Sequence, residues 1–396
     1  MATIAWGKGS GGDVCLPWSG NASLEALRLV NAGQPDDDLL LAFNEFVPDE
    51  NTVGLWHLNE AGWTGTPDEV LDASGEGHHG KAINGATTTD GWLDRAGQFE
   101  ASQSQMVEIS TVPSIPSGVM TLECWVYVPD TNSYGVLIKI GDSDGVGLGI
   151  GTYLRTADNK LEAVYEWATW VHSNQTVGTG WHHVAFASAG TSPVFWIDGV
   201  EVPVTTGRTP YAPTKVGGIG GQYDENTGLP SRCISALIDE VRVSEGVRYS
   251  GDFSPTRYPT SGTVVAQYTP PSSSRLTELS WDGTFGADYG QVRAIYVNSG
   301  GDWQQVGGDY PSSPITGLNL PVTGPDLVKV ELEPRQDALQ SETPTLDWLQ
   351  VVLETTAAPA GRHRLQTSLA RRRFDASDGT RLATTLARSR LDTRSD

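Results

Sequence analysis

Four groups of residues in this chain have side chains and spacings that can do chemistry. Tyr165, Trp167 and Trp170 in YEWATWVHSNQ, and Tyr223, Asp224 and Asn226 in GGQYDENTG, combine aromatic faces with nearby hydrogen-bonding groups. That pairing suits sugars, whose apolar ring faces stack on aromatics while carboxylates and amides fix the hydroxyls. The competing reading for Tyr165 and Trp167 is core packing. Asp72, Asp142, Asp144 and Asp239 are candidates for a structural calcium, which takes six to eight oxygen ligands, often from acidic loops with a glycine at the sharp turn. GDSDG (141–145) has two carboxylates and the glycine but lacks the later bidentate glutamate of an EF-hand. The pairs His78–His79 and His182–His183 are adjacent, which is not the i, i+4 spacing of a zinc site, so structural roles are expected for them.

The fourth group is the C-terminal arginines. RLQTSLARRRFD (364–375) realigns with RLATTLARSRLD (381–392), keeping Arg364, Arg371 and Arg373 in register with Arg381, Arg388 and Arg390. From Gly361 onward there are nine Arg and four Asp, a balance of +5. With a net charge of −22 for the whole chain, the first 360 residues carry −27. Arginine forks pair with carboxylates as readily as with phosphates, and the four Asp dilute the field that nucleic acid needs. A protein-docking arm that grips an acidic partner is therefore the expected role. The acidic body argues against nucleic acid, because it repels the phosphate backbone.

The elements that must position these groups read as strands. The chain has 396 residues, of which 46 are Gly and 23 Pro, favouring short strands and turns over helices. TVGLWHL, TLECWVYV, YGVLIKI, WHHVAFAS, PVFWIDG and ALIDEVRVS are rich in β-branched and aromatic residues and are separated by glycine- and aspartate-rich turns. A second strand-rich block follows with RLTELSWDG, GQVRAIYVNS, DWQQV, DLVKVELE and LDWLQVVLE. The expected organisation is an arm or preface at 1–50, a first β domain at 51–259, a linker at 260–274, a small β-sandwich at 275–354, and a linker with the basic arm at 355–396. In the preface, Leu24, Leu27 and Val30 lie three apart with Gly33 as a stop, which predicts a short helix over 23–33. No apolar run of 18 residues is present, so no membrane span is expected, and MATIAWGKGSGG has no charged segment followed by an apolar stretch, so Sec-type export is not expected. The three cysteines, Cys15, Cys124 and Cys233, are widely spaced without a CxxC pair and are expected to be reduced.

The order of segments from 52 to 259 resembles the laminin-G-like jelly roll of the concanavalin A-like lectin and glucanase superfamily. The resemblance is carried by TVGLWHLNE (52–60), DASGEGHHGKAING (72–85), RAGQFEASQSQMVEI (95–109), TLECWVYVP (121–129), GTGWHHVAF (178–186), WIDGVEV (196–202) and LIDEVRVSEGVRYSGDFSPT (237–256). It implies an all-β fold: a jelly roll, then a smaller β-sandwich and the Arg-rich arm. It makes Asp72 and Asp239 the better calcium pair, with no other cofactor implied. GVRYSGDFSPT is particularly similar to versions found in bacteriophage virion proteins. The function expected is a non-enzymatic structural component of a virion (tail, fibre, spike or capsid decoration), assembled in the host cytoplasm. Its partners would be other virion proteins, further copies of itself and host-surface glycans. A bacterial surface carbohydrate-binding or adhesion protein is the alternative, and a polysaccharide-cleaving enzyme a third. Glycosidases of the superfamily carry alternating carboxylates on one strand face. Strict alternation in Leu237-Ile238-Asp239-Glu240-Val241 places Asp239 with Leu237 and Val241 and turns Glu240 away, so the second carboxylate is expected to be missing.

Overall fold

Alternating apolar residues pair into two β-sandwiches in the computed structural model, which describes residues 1–7, 13–30, 38–111, 113, 115, 119–129, 135–140, 150–154, 160–165, 169–189, 192–207, 217–223, 227–337 and 340–355. In the first sandwich one sheet runs Val200–Val202, Ser192–Ile197, Gly180–Ala189, Met120–Val128, Ala236–Glu245, Arg95–Phe99 and Thr87–Asp90, with Thr52–Trp56 also pairing to Ala236–Glu245. The facing sheet runs Val204–Gly207, Thr169–Thr176, Lys160–Tyr165, Ile150–Leu154, Gly135–Ile140, Gly217–Ile219, Met106–Ile109 and Gly80–Ile83. Their inner faces close on Leu122, Val126, Leu137, Phe186 and Ile219. Phe186 and Phe195 are fully buried with ring centroids 5.0 Å apart. Burying each of these rings is worth about 1.5–3 kcal/mol. Trp56 is fixed at the rim by its indole N–H, which donates to the His78 carbonyl at 2.9 Å.

The second sandwich recruits the N-terminus. Ala2–Gly7 pairs antiparallel with Thr345–Thr355 on one side and parallel with Val14–Leu16 on the other. Thr345–Thr355 continues the sheet to Ser274–Thr284. The opposite sheet runs Asp302–Val306, Gly290–Ser299, Asp326–Pro334, Gly262–Gln267 and Ala22–Glu25. Ile4, Trp6, Leu39 and Leu41 are fully buried in the same core as Leu349 and Val351. Residues 1–50 are therefore not a free preface, and the first sandwich is inserted into the second.

Two expectations change with this. The helix expected over 23–33 is, as far as that segment is described, a pair of strands, Ala22–Glu25 and Leu27–Val30, broken at Ala26, whose φ is 55°. The threefold spacing of Leu24, Leu27 and Val30 fits a helical face, but it also fits two strands whose phase is reset at a left-handed residue. Pairing with Gly262–Gln267 and Asp38–Leu41 decides between them. The stretch 260–274 is likewise not a linker. Its TVVAQ segment is a strand that buries Val264 and Ala266, and the turn lies at Ser272-Ser273, closed by the Ser274 N–H donating to the Pro271 carbonyl. Among the described residues no helix is long and apolar enough to cross a membrane.

Candidate functional site

Among the described residues, a cluster of buried polar side chains lies on the outer face of the first sandwich, and a β-bulge creates it. Between Arg242 and Asp239 the register of Ala236–Glu245 against Met120–Val128 slips, with Glu123 facing Arg242 and Trp125 facing Asp239. Glu240 sits at the slip with φ 50°. The extra residue lets Ile238 and Val241, three apart, both enter the core. Asp239, Glu240 and Arg242 are all left out of that core, in polar contacts of their own. The expectation that strict alternation turns Glu240 away from Asp239 therefore fails.

All three are covered, not exposed. Arg242 Nε donates to Glu123 Oε1 at 2.8 Å, and Glu123 Oε2 lies 3.2 Å from His183 Nε2 and accepts from the Tyr249 hydroxyl. Glu123 and His183 are fully buried. Burial by itself would raise the Glu123 carboxyl, but the hydrogen bond to His183 and the charge of Arg242 outweigh it and bring it down to about 2. Burial and the Glu123 charge push the Tyr249 hydroxyl up. Glu240 accepts the Phe46 N–H at 2.7 Å through Oε2 and lies 2.6 Å from His57 Nδ1 through Oε1. Burial raises Glu240, and His57 only partly offsets it. Burial lowers His57, but the Glu240 hydrogen bond overrides this and raises it. Asp239, also fully buried, accepts the Leu93 N–H at 2.7 Å through Oδ2, while Oδ1 has no hydrogen-bond partner. Burial and then the Glu240 charge raise it well above the usual carboxylate range.

The cover is made by the two chain crossings between the sandwiches. On the first crossing Phe46 meets His183 edge-on and receives the Arg242 guanidinium 4.1 Å from its ring centroid. On the second, Tyr249 and Phe253 stack at 3.6 Å and close over Trp196, whose indole N–H donates to the Gly251 carbonyl. Trp92 and Trp125, 5.1 Å apart, fill the space between. The crossings also bind each other. Arg248 forks onto both Asp49 oxygens at 2.8 and 2.7 Å, and Asn44 N–H donates to the Arg257 carbonyl at 2.9 Å. Arg257 then spans the two sandwiches, donating to Trp92 O at 2.7 Å and Ser341 O at 3.0 Å.

The metal and histidine candidates are taken up in local structure. Asp72 accepts from the backbone of Leu55, Ser74 and His78 and from the Ser74 hydroxyl. Burial would raise its carboxyl, but these donors hold it down. Asp72 and Asp239 have no hydrogen-bonding partner in common, and the described residues contain no cluster of three or more His, Cys, Asp or Glu that could hold a metal. As placed, the pair does not fit calcium, because donors already surround Asp72. Asp142 and Asp144 lie outside the described residues. His182 Nδ1 lies 2.8 Å from Asp198 Oδ2, while neighbouring His183 faces Glu123.

Of the sugar-binding candidates, Tyr165 and Trp170 occupy adjoining strands, in which Val164 faces Trp170 and Tyr165 faces Thr169. Tyr223 is held by its hydroxyl, which donates to Glu108 Oε2 at 2.7 Å; burial and then that carboxylate raise it. Its ribbon adjoins Gly217–Ile219, which lies three strand spacings, about 14 Å, from Lys160–Tyr165. Trp167, Asp224, Asn226 and the arginines of the C-terminal arm lie outside the described residues. Sequence reasoning missed Glu123, Arg242 and Tyr249, and it took His183 only as one of an adjacent pair with a structural role. The usable signal was the Ile238-to-Val241 spacing of three, which no regular strand buries on one face.

The strand order, the buried tryptophan strand and the closing strand all lie in one contiguous stretch. Residues 101–251 match the family model of the concanavalin A-like lectin/glucanases superfamily. The match covers part of the first sandwich and less than half of the chain, and that stretch is similar to the superfamily. No curated protein sequence matches the chain. Among solved structures, domain 4 of AbnA, a GH43 extracellular arabinanase from Geobacillus stearothermophilus, in complex with arabinotriose, is 16% identical; the alignment covers 50% of this chain and 93% of that one, with a TM-score of 0.36. Trypanosoma rangeli sialidase in complex with sialic acid is 14% identical over 51% of this chain and 32% of its own, with a TM-score of 0.32. The binding domain of Paraclostridial Mosquitocidal Protein 1 is 12% identical over 65% of this chain and 63% of its own, with a TM-score of 0.34. This chain thus spans about a third of the sialidase.

Proposed function

We propose that this chain is a non-enzymatic structural component of a virion of bacteriophage type, with its jelly roll displayed outward to engage host-surface glycans. The observation that carries the reading is the insertion of one sandwich into the other, with both crossings sealed by a buried ionic and aromatic layer. This makes Met1–Thr356 one compact unit. Such a unit resists being pulled apart at a hinge, as a protruding appendage requires. The use of the carboxylates also supports a non-enzymatic role. Hydrolysis of a glycosidic bond needs two carboxyl groups facing one sugar. Asp239, Glu240 and Glu123 are instead covered by chain crossings and engaged with Leu93, His57, Phe46, Arg242, His183 and Tyr249. The arginine arm would then attach the unit to acidic neighbours in the particle.

The test has two parts. Antibodies against residues 1–356 should label purified phage particles from the source culture, and labelling of the bacterial surface instead would favour the adhesion reading. The full chain on a glycan array should retain specific glycans without releasing reducing ends, and turnover would overturn the non-enzymatic assignment.

A further inference from the structure

The second sandwich carries an open cavity of about 290 Å³ lined by Trp281, Phe285, Gly286, Gln291, Val292, Tyr310 and Pro311. The geometry points to this cavity as a saccharide subsite for an uncharged sugar ring, on a different domain from the jelly roll. Its size is at the lower end of small-molecule sites and suits one pyranose residue, with the rest of a glycan lying outside.

The wall chemistry selects the ligand class. Three of the seven lining residues are aromatic, which gives flat faces for the C–H side of a sugar ring. Trp281 is almost buried and so rigid, its strand pinned by its backbone N–H donating to Ser313 Oγ at 2.9 Å. Tyr310, a lining residue, is 53% exposed. Its backbone is left-handed, φ 53°, and its N–H donates to the Arg293 carbonyl at 2.8 Å. A non-glycine residue held in that region marks a conformation that the surroundings impose. Gln291 supplies the polar contact. Its Nε2 donates to Glu333 Oε1 at 3.0 Å, which fixes the amide and leaves the carbonyl oxygen as an acceptor for a hydroxyl.

No lining residue is charged, and three carboxylates, Asp282, Asp288 and Asp309, lie near the lining residues in sequence against one cation, Arg293. Anionic sugars are disfavoured by that field, and neutral ones are not.

The experiment uses the full chain with methyl pyranosides and neutral di- and trisaccharides, and with sialic acid as the anionic control. Titration calorimetry and tryptophan fluorescence give the readout. The expected result is binding of at least one neutral probe that weakens tenfold or more in both Tyr310→Ala and Gln291→Ala, with melting temperatures unchanged. Equal binding in those variants places the ligand elsewhere, overturns this site and leaves the jelly-roll reading standing. Absence of binding by every neutral probe, or preference for sialic acid, overturns it as well.

Discussion

Arg242 and Glu123 face each other across adjacent strands, joined by a 2.8 Å hydrogen bond from Nε to Oε1 beneath the ring of Phe46. Glu123 is fully buried and Arg242 nearly so. Water does little to screen the pair, so removing one partner strands the other. Arg242→Met should therefore cost about 3–5 kcal/mol of unfolding free energy in urea. The double change Glu123→Leu with Arg242→Met should recover only part of it, because buried His183 and Tyr249 then lose the carboxylate they share. A single mutant within about 1 kcal/mol of the parent would show that the pair is not desolvated as described.

The same region gives opposing pH dependences. Glu123 is depressed from its ordinary 4.5 to about 2, so its contribution is full above pH 4.5 and disappears as pH falls toward 2. Asp239 is raised, so it destabilises the fold at neutral pH and ceases to do so once the unfolded carboxyl is protonated near 3.8. Asp239→Asn keeps an acceptor for the Leu93 N–H and removes the charge. It should raise the melting temperature at pH 7, with the gain fading as pH approaches 3.8. A gain that is constant with pH would mean that the charge is not the cause.

Deletion of residues 1–41 tests the shared second sandwich. Ala2–Gly7 covers one edge of Thr345–Thr355, and Trp6 and Ile4 are fully buried. Loss of that strand exposes Leu349 and Val351, a defect well beyond a single core truncation of about 2–5 kcal/mol. The deleted chain should lose the second sandwich, seen as proteolysis within 262–355, while 52–245 survives. Protection of both regions would restore the idea of a dispensable arm.

Much of this fold was legible because its strands are long and locally patterned. TLECWVYV, WHHVAF and DLVKVELE all form where their β-branched and aromatic residues, bounded by turns, place them. What escaped notice depends on pairing between distant segments. Nothing in SLEALRLV says that its first half pairs with residues 263–266, more than two hundred positions away, so a local helical spacing looked equally good. The polar layer was hidden for a related reason. One bulged residue reverses the facing of everything beyond it, and Glu240 could be placed only once the Glu123–Arg242 pairing was known. GVRYSGDFSPT was read as a family mark, and its Tyr249 and Phe253 prove to be the aromatic lid over that layer.

Arg257 is the residue through which the sandwiches should report on each other. It donates to Trp92 O in the first and Ser341 O in the second, and its guanidinium lies 4.7 Å from the Trp92 ring centroid. Replacing it with alanine removes both charge-assisted hydrogen bonds, each worth about 1.5–3 kcal/mol, together with the cation–π contact. The peptide carbonyls it leaves behind lie at the joint and not in either core, so each sandwich should keep its own fold. The expected outcome is that the single calorimetric transition of the parent splits into two in Arg257→Ala, with new protease cleavage in 42–51. A single transition shifted to lower temperature would instead show that the two sandwiches unfold as one body without this link, and that the Asp49–Arg248 clamp and the aromatic layer suffice to couple them.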